Sequence, residues 1–191
     1  MEKKDLKPAG VFKYFEEICQ VPRPSKKEEK MIAYLKAFGA KHNLETKVDE
    51  VGNILIKKPA TPGKENLQTV VLQSHIDMVC EKNNNVQHDF LTDPIETEID
   101  GEWLKAKGTT LGADNGIGVA TELAILADDT IEHGPLECLF TVDEETGLTG
   151  AFALKEGFMS GDILLNLDSE DEGEIFIGCA GGIDSVAEFT Y

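Results

Sequence analysis

Three strand-like runs of mostly apolar residues are the clearest pattern along this chain. They cover residues 70–74, 139–142 and 163–167, and each is followed by residues with acidic or imidazole side chains. Apolar runs without polar alternation are typical of strands buried in a parallel sheet, where ligands bind beyond the carboxyl ends of the strands. We therefore expect the residues that follow these runs to meet at one edge of one sheet.

The rest of the hydrophobic pattern predicts helices and strands in alternation. Helices are predicted over residues 10–20, 25–38, 117–127 and 148–154, and further strands over 44–49, 53–58, 95–99, 103–106, 174–180 and 184–191. A capping box formed by Ser25 and Glu28 is predicted to open the second helix. Because strands and helices alternate through most of the chain, the predicted fold class is α/β.

The first run ends in His75 and Asp77, and a tight acidic turn at Asp114 opens a later helix. A His-x-Asp triplet alone is a weak signal for a metal site, but its place at a strand end strengthens it. In such a site His75 would bind through one ring nitrogen while Asp77 orients the ring. Asp114 is either a helix N-cap or a bridging carboxylate near the positive end of the helix, and the local pattern favours the N-cap.

The second and third runs end in carboxylates, Glu144 with Glu145 and Asp168. An acidic pair is commonly a solvated turn, yet adjacent carboxylates can also divide metal binding and proton transfer between them. One imidazole and three or four carboxylates at one sheet edge form the donor set of a two-metal hydrolytic site.

Composition excludes several classes of function. With 36 acidic and 18 basic residues the net charge is −18, and Arg23 is the only arginine, so we expect neither nucleic-acid nor membrane binding. Residues 112–118 are glycine-rich but lack the P-loop lysine and the Rossmann spacing, which excludes nucleotide binding there. The lack of an apolar leader predicts a cytoplasmic protein with reduced, buried thiols. The cysteines are Cys19, Cys80, Cys138 and Cys179.

Four segments around these residues resemble a known family. The sequence is SHIDMV around His75, LGADNGIG around Asp114, TVDEETG around Glu144 and LDSEDEGE around Asp168. Over about residues 11–183 it resembles the dizinc metallopeptidases that include peptidase T, carboxypeptidase G and the aminoacylases, and within them the aminoacyl-histidine dipeptidase branch. The resemblance implies a zinc-exopeptidase-like catalytic domain with a largely parallel central sheet flanked by helices, incomplete at its C-terminus.

The resemblance also implies a role for each candidate residue. The expected metal ligands are His75, Asp114, Glu145 and Asp168. Asp114 would bridge two divalent metals, expected to be zinc with cobalt or manganese as alternatives, and Asp114–Asn115 would be a cis peptide bond. Asp77 would orient the imidazole, and Glu144 would be the general base.

The implied function is hydrolysis of dipeptides of the Xaa-His type in the cytoplasm. The alternatives are an N-acyl amino acid deacylase of the same family, which would share the dizinc core, and a non-catalytic module. The family's last ligand, a downstream histidine, and its lid domain have no counterpart in this sequence. We therefore expect residues 1–183 to be the N-terminal portion of a catalytic domain and residues 184–191 to begin a lid and dimerisation domain. The chain alone would be inactive, and the full-length enzyme would be a homodimer.

Overall fold

The computed structural model of the chain describes residues 2–169, 171, 173–179, 181–182 and 185–190. This part of the chain combines helices with a central sheet, which confirms the predicted α/β class. The helices are α1 (Ala9–Cys19), α2 (Glu29–Lys41), α3 (Ala113–Ala127) and α4 (Thr149–Ala153). The strands are β1 (Glu45–Val48), β2 (Ile54–Lys58), β3 (Val70–His75), β4 (Thr97–Asp100), β5 (Trp103–Ala106), β6 (Leu136–Thr141) and β7 (Ile163–Asn166). A short 3₁₀ turn at Lys3–Asp5 precedes α1.

Five strands form one sheet in the order β1-β2-β6-β3-β7. Strands β6, β3 and β7 run parallel to one another, whereas β1 and β2 form an antiparallel pair and β2 is antiparallel to β6. The remaining strands, β4 and β5, form a separate hairpin. The three parallel strands contain the three apolar runs of the sequence, so their carboxyl ends lie at the same edge of the sheet, as predicted.

Both faces of the middle of the sheet are covered. On one face α1 packs against α3 and α3 packs against β3, which buries Phe15 and Leu123. On the other face Leu55, Val71 and Leu139 pack against partly buried apolar residues between positions 154 and 159. Burial of each large apolar side chain contributes about 1.5–3 kcal/mol. Because β2, β3 and β6 are covered on both faces, their sequences show little polar alternation.

Strand β7 is an exception to the expectation that the apolar runs are buried. Its residues Ile163 and Leu165 are 40% and 48% exposed. Among the described strands only β3 pairs with it, so its side chains have fewer neighbours than those of β6.

The strands predicted near the end of the sequence are wrong for the residues that can be compared. Residues 174–179 and 185–190 form no strand, while Ala180, Asp184 and Tyr191 lie outside the described residues. The side chains of Ile175 and Ile177 are almost fully exposed. An apolar segment becomes a strand only when another strand accepts its backbone hydrogen bonds, and no described strand lies beside this one.

The predicted capping box at the start of α2 is also wrong. The N-cap position belongs to Glu28, and no side chain caps the helix there. The Ser25 hydroxyl donates to the carboxylate of Asp77 instead, and Glu28 accepts the backbone N–H of Asp143. Ser25 and Glu28 thus bind the buried residues Asp77 and Asp143 instead of forming the capping box with each other's backbone.

The cysteines are unpaired, as expected. Cys19 and Cys138 are buried and Cys80 is half-buried, whereas Cys179 is exposed, in a segment whose described residues join no sheet. Within the described ranges, no helix has both the length and the apolar character that a membrane crossing requires.

Asn53 connects three parts of the fold immediately before β2. Its Nδ2 donates to Asp49 Oδ2 at 2.7 Å and to the carbonyl of Gly150 at 2.8 Å. Its Oδ1 accepts the backbone N–H of Val142 at 3.1 Å. The side chain is completely buried. It therefore joins the turn between β1 and β2 to the end of β6 and the start of α4.

We predict that Asn53→Ala lowers the free energy of unfolding by about 2–4 kcal/mol, because the Val142 N–H and the Gly150 carbonyl would stay buried without a partner. Urea unfolding followed by circular dichroism measures the change. Asn84→Ala, at an exposed loop position, is the control and should shift stability by less than about 0.5 kcal/mol. Equal stability of the two variants would contradict the assigned role of Asn53.

Candidate metal centre

His75, the last residue of β3, presents its two ring nitrogens to different carboxylates. Nδ1 lies 3.1 Å from Asp77 Oδ1, and Nε2 lies 3.0 Å from Asp114 Oδ1. Nε2 is also 3.8 Å from Asp168 Oδ1 and 4.0 Å from Glu144 Oε2. A carboxylate on one nitrogen fixes the orientation of an imidazole and leaves the other nitrogen to face a ligand or metal.

Asp77 is fully buried, yet both of its carboxylate oxygens have partners. Besides His75, it accepts the Ser25 hydroxyl at 2.7 Å and the backbone N–H groups of Glu144 at 3.0 Å and Glu145 at 3.2 Å. Burial opposes ionisation, but these hydrogen bonds outweigh it and hold the pKa of Asp77 at about 2. The ionised carboxylate thereby joins the end of β3 to the end of β6.

Asp114 lies at the start of α3 but does not cap the helix. The N-cap is Gly112, no side chain caps this end, and Asp114 and Asn115 have non-helical backbone angles. The favoured local interpretation of Asp114 as an N-cap is therefore wrong, because its carboxylate reaches Nε2 of His75 instead. The Asp114–Asn115 peptide bond is cis, as predicted.

Asn115 brings the end of β7 to the start of α3. Its Nδ2 donates to the carbonyl of Leu167 at 3.0 Å and to Asp168 Oδ1 at 2.5 Å. A Cβ at Gly118 would fall 1.9 Å from Asn115 Oδ1, so this position needs a glycine. Asn115 was not among the predicted site residues; its signal in the sequence is a second polar residue beside Asp114 in a glycine-rich turn.

The structure brings the four expected ligands and the expected base together. One group of ligand atoms within 4.8 Å of one another comes from His75, Asp114 and Asp168. A second such group comes from His75, Glu144 and Glu145. The two groups share the imidazole, so the side chains converge beyond the carboxyl ends of the parallel strands.

A third group of acidic side chains lies next to these residues, and its carboxylates accept hydrogen bonds from the protein. It consists of Glu28, Asp77 and Asp143, all buried. Asp143 accepts the hydroxyls of Thr146 and Thr149, and its N–H donates to Glu28. Burial raises the pKa of Glu28. We assign this group a structural role, since protein donors already occupy its carboxylates.

The carboxylates of Asp114, Glu144 and Asp168 have few positively charged neighbours. Among the described residues, the only basic group within 4.0 Å of Asp114, Glu144 or Asp168 is the His75 ring. Burial is the main cause that raises the pKa of both Glu144 and Asp168, and repulsion between carboxylates adds to it. The pKa of Glu145 is raised by burial and then by Asp114.

A divalent cation would relieve this crowding of negative charge. Nitrogen and oxygen donors of this kind suit zinc, cobalt or manganese. The residues present therefore fit a metal site. Without metal, burial opposes the charged imidazole, but hydrogen bonds to Asp77 and Asp114 prevail and raise the pKa of His75 to about 9.

The chain is similar in sequence to a known protein family and to curated relatives. Residues 71–187 match the family model described as Peptidase family M20/M25/M40. The chain is 54% identical over 183 residues to the cytosol non-specific dipeptidase of Escherichia coli (strain K12), covering 96% of this chain and 38% of that protein. It is 28% identical to the uncharacterized protein YqjE of Bacillus subtilis (strain 168), covering 85% of this chain and 44% of that protein.

The fold resembles solved structures of similar proteins. The crystal structure of aminoacylhistidine dipeptidase from Vibrio alginolyticus matches with a TM-score of 0.91 and 55% identity, over 94% of this chain and 36% of that one. The aminopeptidase PepT from Bacillus cereus ATCC 10987 matches with a TM-score of 0.72 and 26% identity, over 85% of this chain and 43% of that one. The chain thus spans less than half the length of these relatives.

We predict that the metal-free protein loses about 3 kcal/mol of stability as pH rises from 6.5 to 9. Folding raises the pKa of His75 from 6.5 to about 9, so its contribution is complete below pH 6.5 and disappears as pH rises through 9. Urea unfolding in EDTA across this range measures the slope.

The variant His75→Gln should remove most of this pH dependence, whereas His88→Gln, in the loop between β3 and β4, should retain it. An unchanged slope in the His75 variant would assign the pH dependence to other groups.

Proposed function

This chain belongs to peptidase family M20/M25/M40, and from that membership we propose that it carries the metal centre of a dizinc dipeptidase that accepts Xaa-His dipeptides. The observation that carries the proposal is the group formed by His75, Asp114 and Asp168, whose ligand atoms lie within 4.8 Å of one another. The dipeptidase names of two relatives support the substrate class.

The proposed ligand sets are those that the family resemblance implies, and the side chains of the first set lie close together in the structure. His75, Asp114 and Asp168 would hold the first zinc. Asp114 would bridge to the second zinc, which Glu145 and the family's downstream histidine would complete. Cobalt or manganese would fit the same nitrogen and oxygen donors.

In the proposed mechanism Glu144 is the general base. The two metals, when bound, would lower the pKa of a water molecule and polarise the scissile carbonyl. Glu144 would accept a proton from the attacking water and donate it to the amine that leaves. Burial is the main cause that raises the pKa of Glu144, which makes its carboxylate a stronger base than an exposed one. Asp77 would keep the His75 ring in its binding orientation.

We place the proposed reaction in the cytoplasm, with a dipeptide as the partner molecule and a homodimer as the working assembly. The word cytosol in the name of the Escherichia coli relative supports the compartment. A net charge of −18 disfavours binding to nucleic acid or to an anionic membrane.

We expect the full-length polypeptide, loaded with zinc, cobalt or manganese, to hydrolyse dipeptides and to lose activity when a chelator removes the metal. A panel of Xaa-His dipeptides, other dipeptides and N-acyl amino acids tests the substrate class. Faster cleavage of the acylated amino acids would favour the deacylase alternative. Full activity after complete metal removal would contradict a metal-dependent mechanism.

We also expect substitutions of the neighbouring residues Glu144 and Glu145 to have different effects on metal content and on turnover. Glu144→Gln should retain both metals and lower kcat by about 10²–10⁴-fold, because the amide keeps the size of the side chain but cannot accept the proton. Glu145→Gln should lower metal content, because an amide is a weaker, uncharged ligand.

Metal analysis and steady-state kinetics on both variants separate these roles. If Glu144→Gln loses zinc while Glu145→Gln keeps zinc and activity, the two assignments are reversed.

A further inference from the structure

Arg23, the only arginine of the chain, is buried and donates to backbone carbonyls. It is 2% exposed. Its Nη1 donates to the carbonyl oxygens of Ile76 at 3.2 Å and Asp77 at 3.1 Å, and its Nη2 donates to that of Gly112 at 2.6 Å. Among the described residues, no carboxylate forms an ion pair with it. A buried cation without an ion-pair partner is unusual, so its position needs an explanation.

The three carbonyls belong to the two segments that carry the imidazole and the bridging carboxylate. Ile76 and Asp77 directly follow His75, and Gly112 lies two residues before Asp114. These segments come from different elements, the end of β3 and the start of α3. A planar guanidinium holds its donors in a fixed fork, so it connects the segments at a defined separation.

The backbone around Arg23 reinforces this connection. The N–H of Met78 donates to the carbonyl of Arg23 at 3.2 Å, and Pro24 forms a parallel bridge with Met78. The next polar residue, Ser25, donates to the carboxylate of Asp77. Residues 23–25 therefore run alongside the end of β3.

Two glycines leave the space that the guanidinium occupies. A Cβ at Gly112 would lie 2.6 Å from Arg23 Nη2, and a Cβ at Gly116 would lie 2.7 Å from the same atom. Such distances are too short for a carbon atom beside the nitrogen. The sequence of this glycine-rich turn does not fit a nucleotide-binding motif. Two of its glycines are explained instead by the space that the Arg23 side chain occupies.

We propose that Arg23 is a positioning residue of the metal centre, whose guanidinium sets the separation between His75 and Asp114 at which both bind one metal. The inference rests on the proposed function of these two residues as ligands. Among the described residues no hydrogen bond or ion pair joins Arg23 to a ligand atom. Its charge also interacts with Asp77 and Asp114, so a variant that keeps the charge is needed to isolate its action through the segments that it connects.

Lys58 provides a control at the other end of the same helix. It is a buried cation, 9% exposed, and donates to the backbone carbonyls of Ile125 at 3.0 Å and Asp128 at 2.7 Å. Unlike Arg23 it also has an ion-pair partner, the exposed carboxylate of Asp129 at 3.9 Å. Its loss would remove a similar set of hydrogen bonds from α3 without touching the segments that carry the ligands. A merely structural role for Arg23 would give the same result as this control.

The test compares Arg23→Lys with Lys58→Met in this chain. Zinc affinity is measured by competition with a chelating dye, coordination by the visible spectrum of the cobalt-loaded chain, and stability by urea unfolding. Arg23→Lys keeps the charge but loses the fork, so zinc affinity should fall by about 10–100-fold and the cobalt bands should shift. Lys58→Met should lower stability while zinc affinity and the cobalt spectrum stay unchanged.

Gly116→Ala is a second variant that keeps the arginine. The added methyl group should displace the guanidinium and weaken zinc binding, and the loss should be smaller when Arg23→Lys is already present. Amide hydrogen exchange on the metal-free chains gives a readout that needs no metal. Exchange over residues 76–78 and 112–116 should increase in Arg23→Lys and stay unchanged in Lys58→Met.

The outcomes separate the inference from the proposed function. Zinc affinity and exchange unchanged in Arg23→Lys, with zinc binding intact in the unmodified chain, would overturn the role of Arg23 alone. Strictly additive losses for Arg23→Lys and Gly116→Ala would overturn it as well. If the unmodified chain takes up neither zinc nor cobalt, the proposed zinc set of His75, Asp114 and Asp168 fails, and the exchange measurement alone decides whether Arg23 connects the two segments.

Discussion

The buried carboxylate of Asp77 is the interaction on which the geometry of the candidate metal centre depends. An ion in the interior of a protein is tolerated only when hydrogen bonds replace the water that it has lost. The partners of Asp77 come from three separate places, Ser25 before α2, His75 at the end of β3, and the backbone of Glu144 and Glu145 after β6. One charge thus determines both the orientation of the imidazole and the path of the chain beyond β6.

Burial on both faces of the sheet explains why much of the fold was predictable. Strands β3 and β6 have apolar side chains on either side, and such burial leaves an apolar run that a single sequence displays. The same signal was misleading for residues 174–179, where Ile175 and Ile177 are apolar but exposed. The local sequence pattern indicates that a segment favours an extended backbone. It does not indicate whether another strand lies beside that segment to pair with it.

Contacts between distant residues explain most of the remaining errors. Ser25 and Glu28 match a capping box in every local respect, yet their partners lie 52 and 115 residues away. Asp114 matches an N-cap, yet its carboxylate faces His75, which is 39 residues earlier in the chain. Family resemblance, and not spacing, suggested the bridging role of Asp114. Departures of this kind from local preference are typical of functional sites.

Arg23 and Ser25 contact the candidate metal centre from a segment that contains none of the expected metal ligands. The geometry of the centre therefore depends on a part of the chain that precedes all of these ligands. A shortened chain that began at β3 would retain His75, Asp114 and every other candidate ligand. It would lack the Ser25 hydroxyl, one of the donors to the Asp77 carboxylate, and the Arg23 guanidinium that connects the two ligand-bearing segments. Contacts of such large sequence separation form late, after their loop-closure entropy has been overcome. Assembly of the proposed metal centre would therefore coincide with docking of the segment around residues 23–25, and metal uptake would then report that this docking is complete.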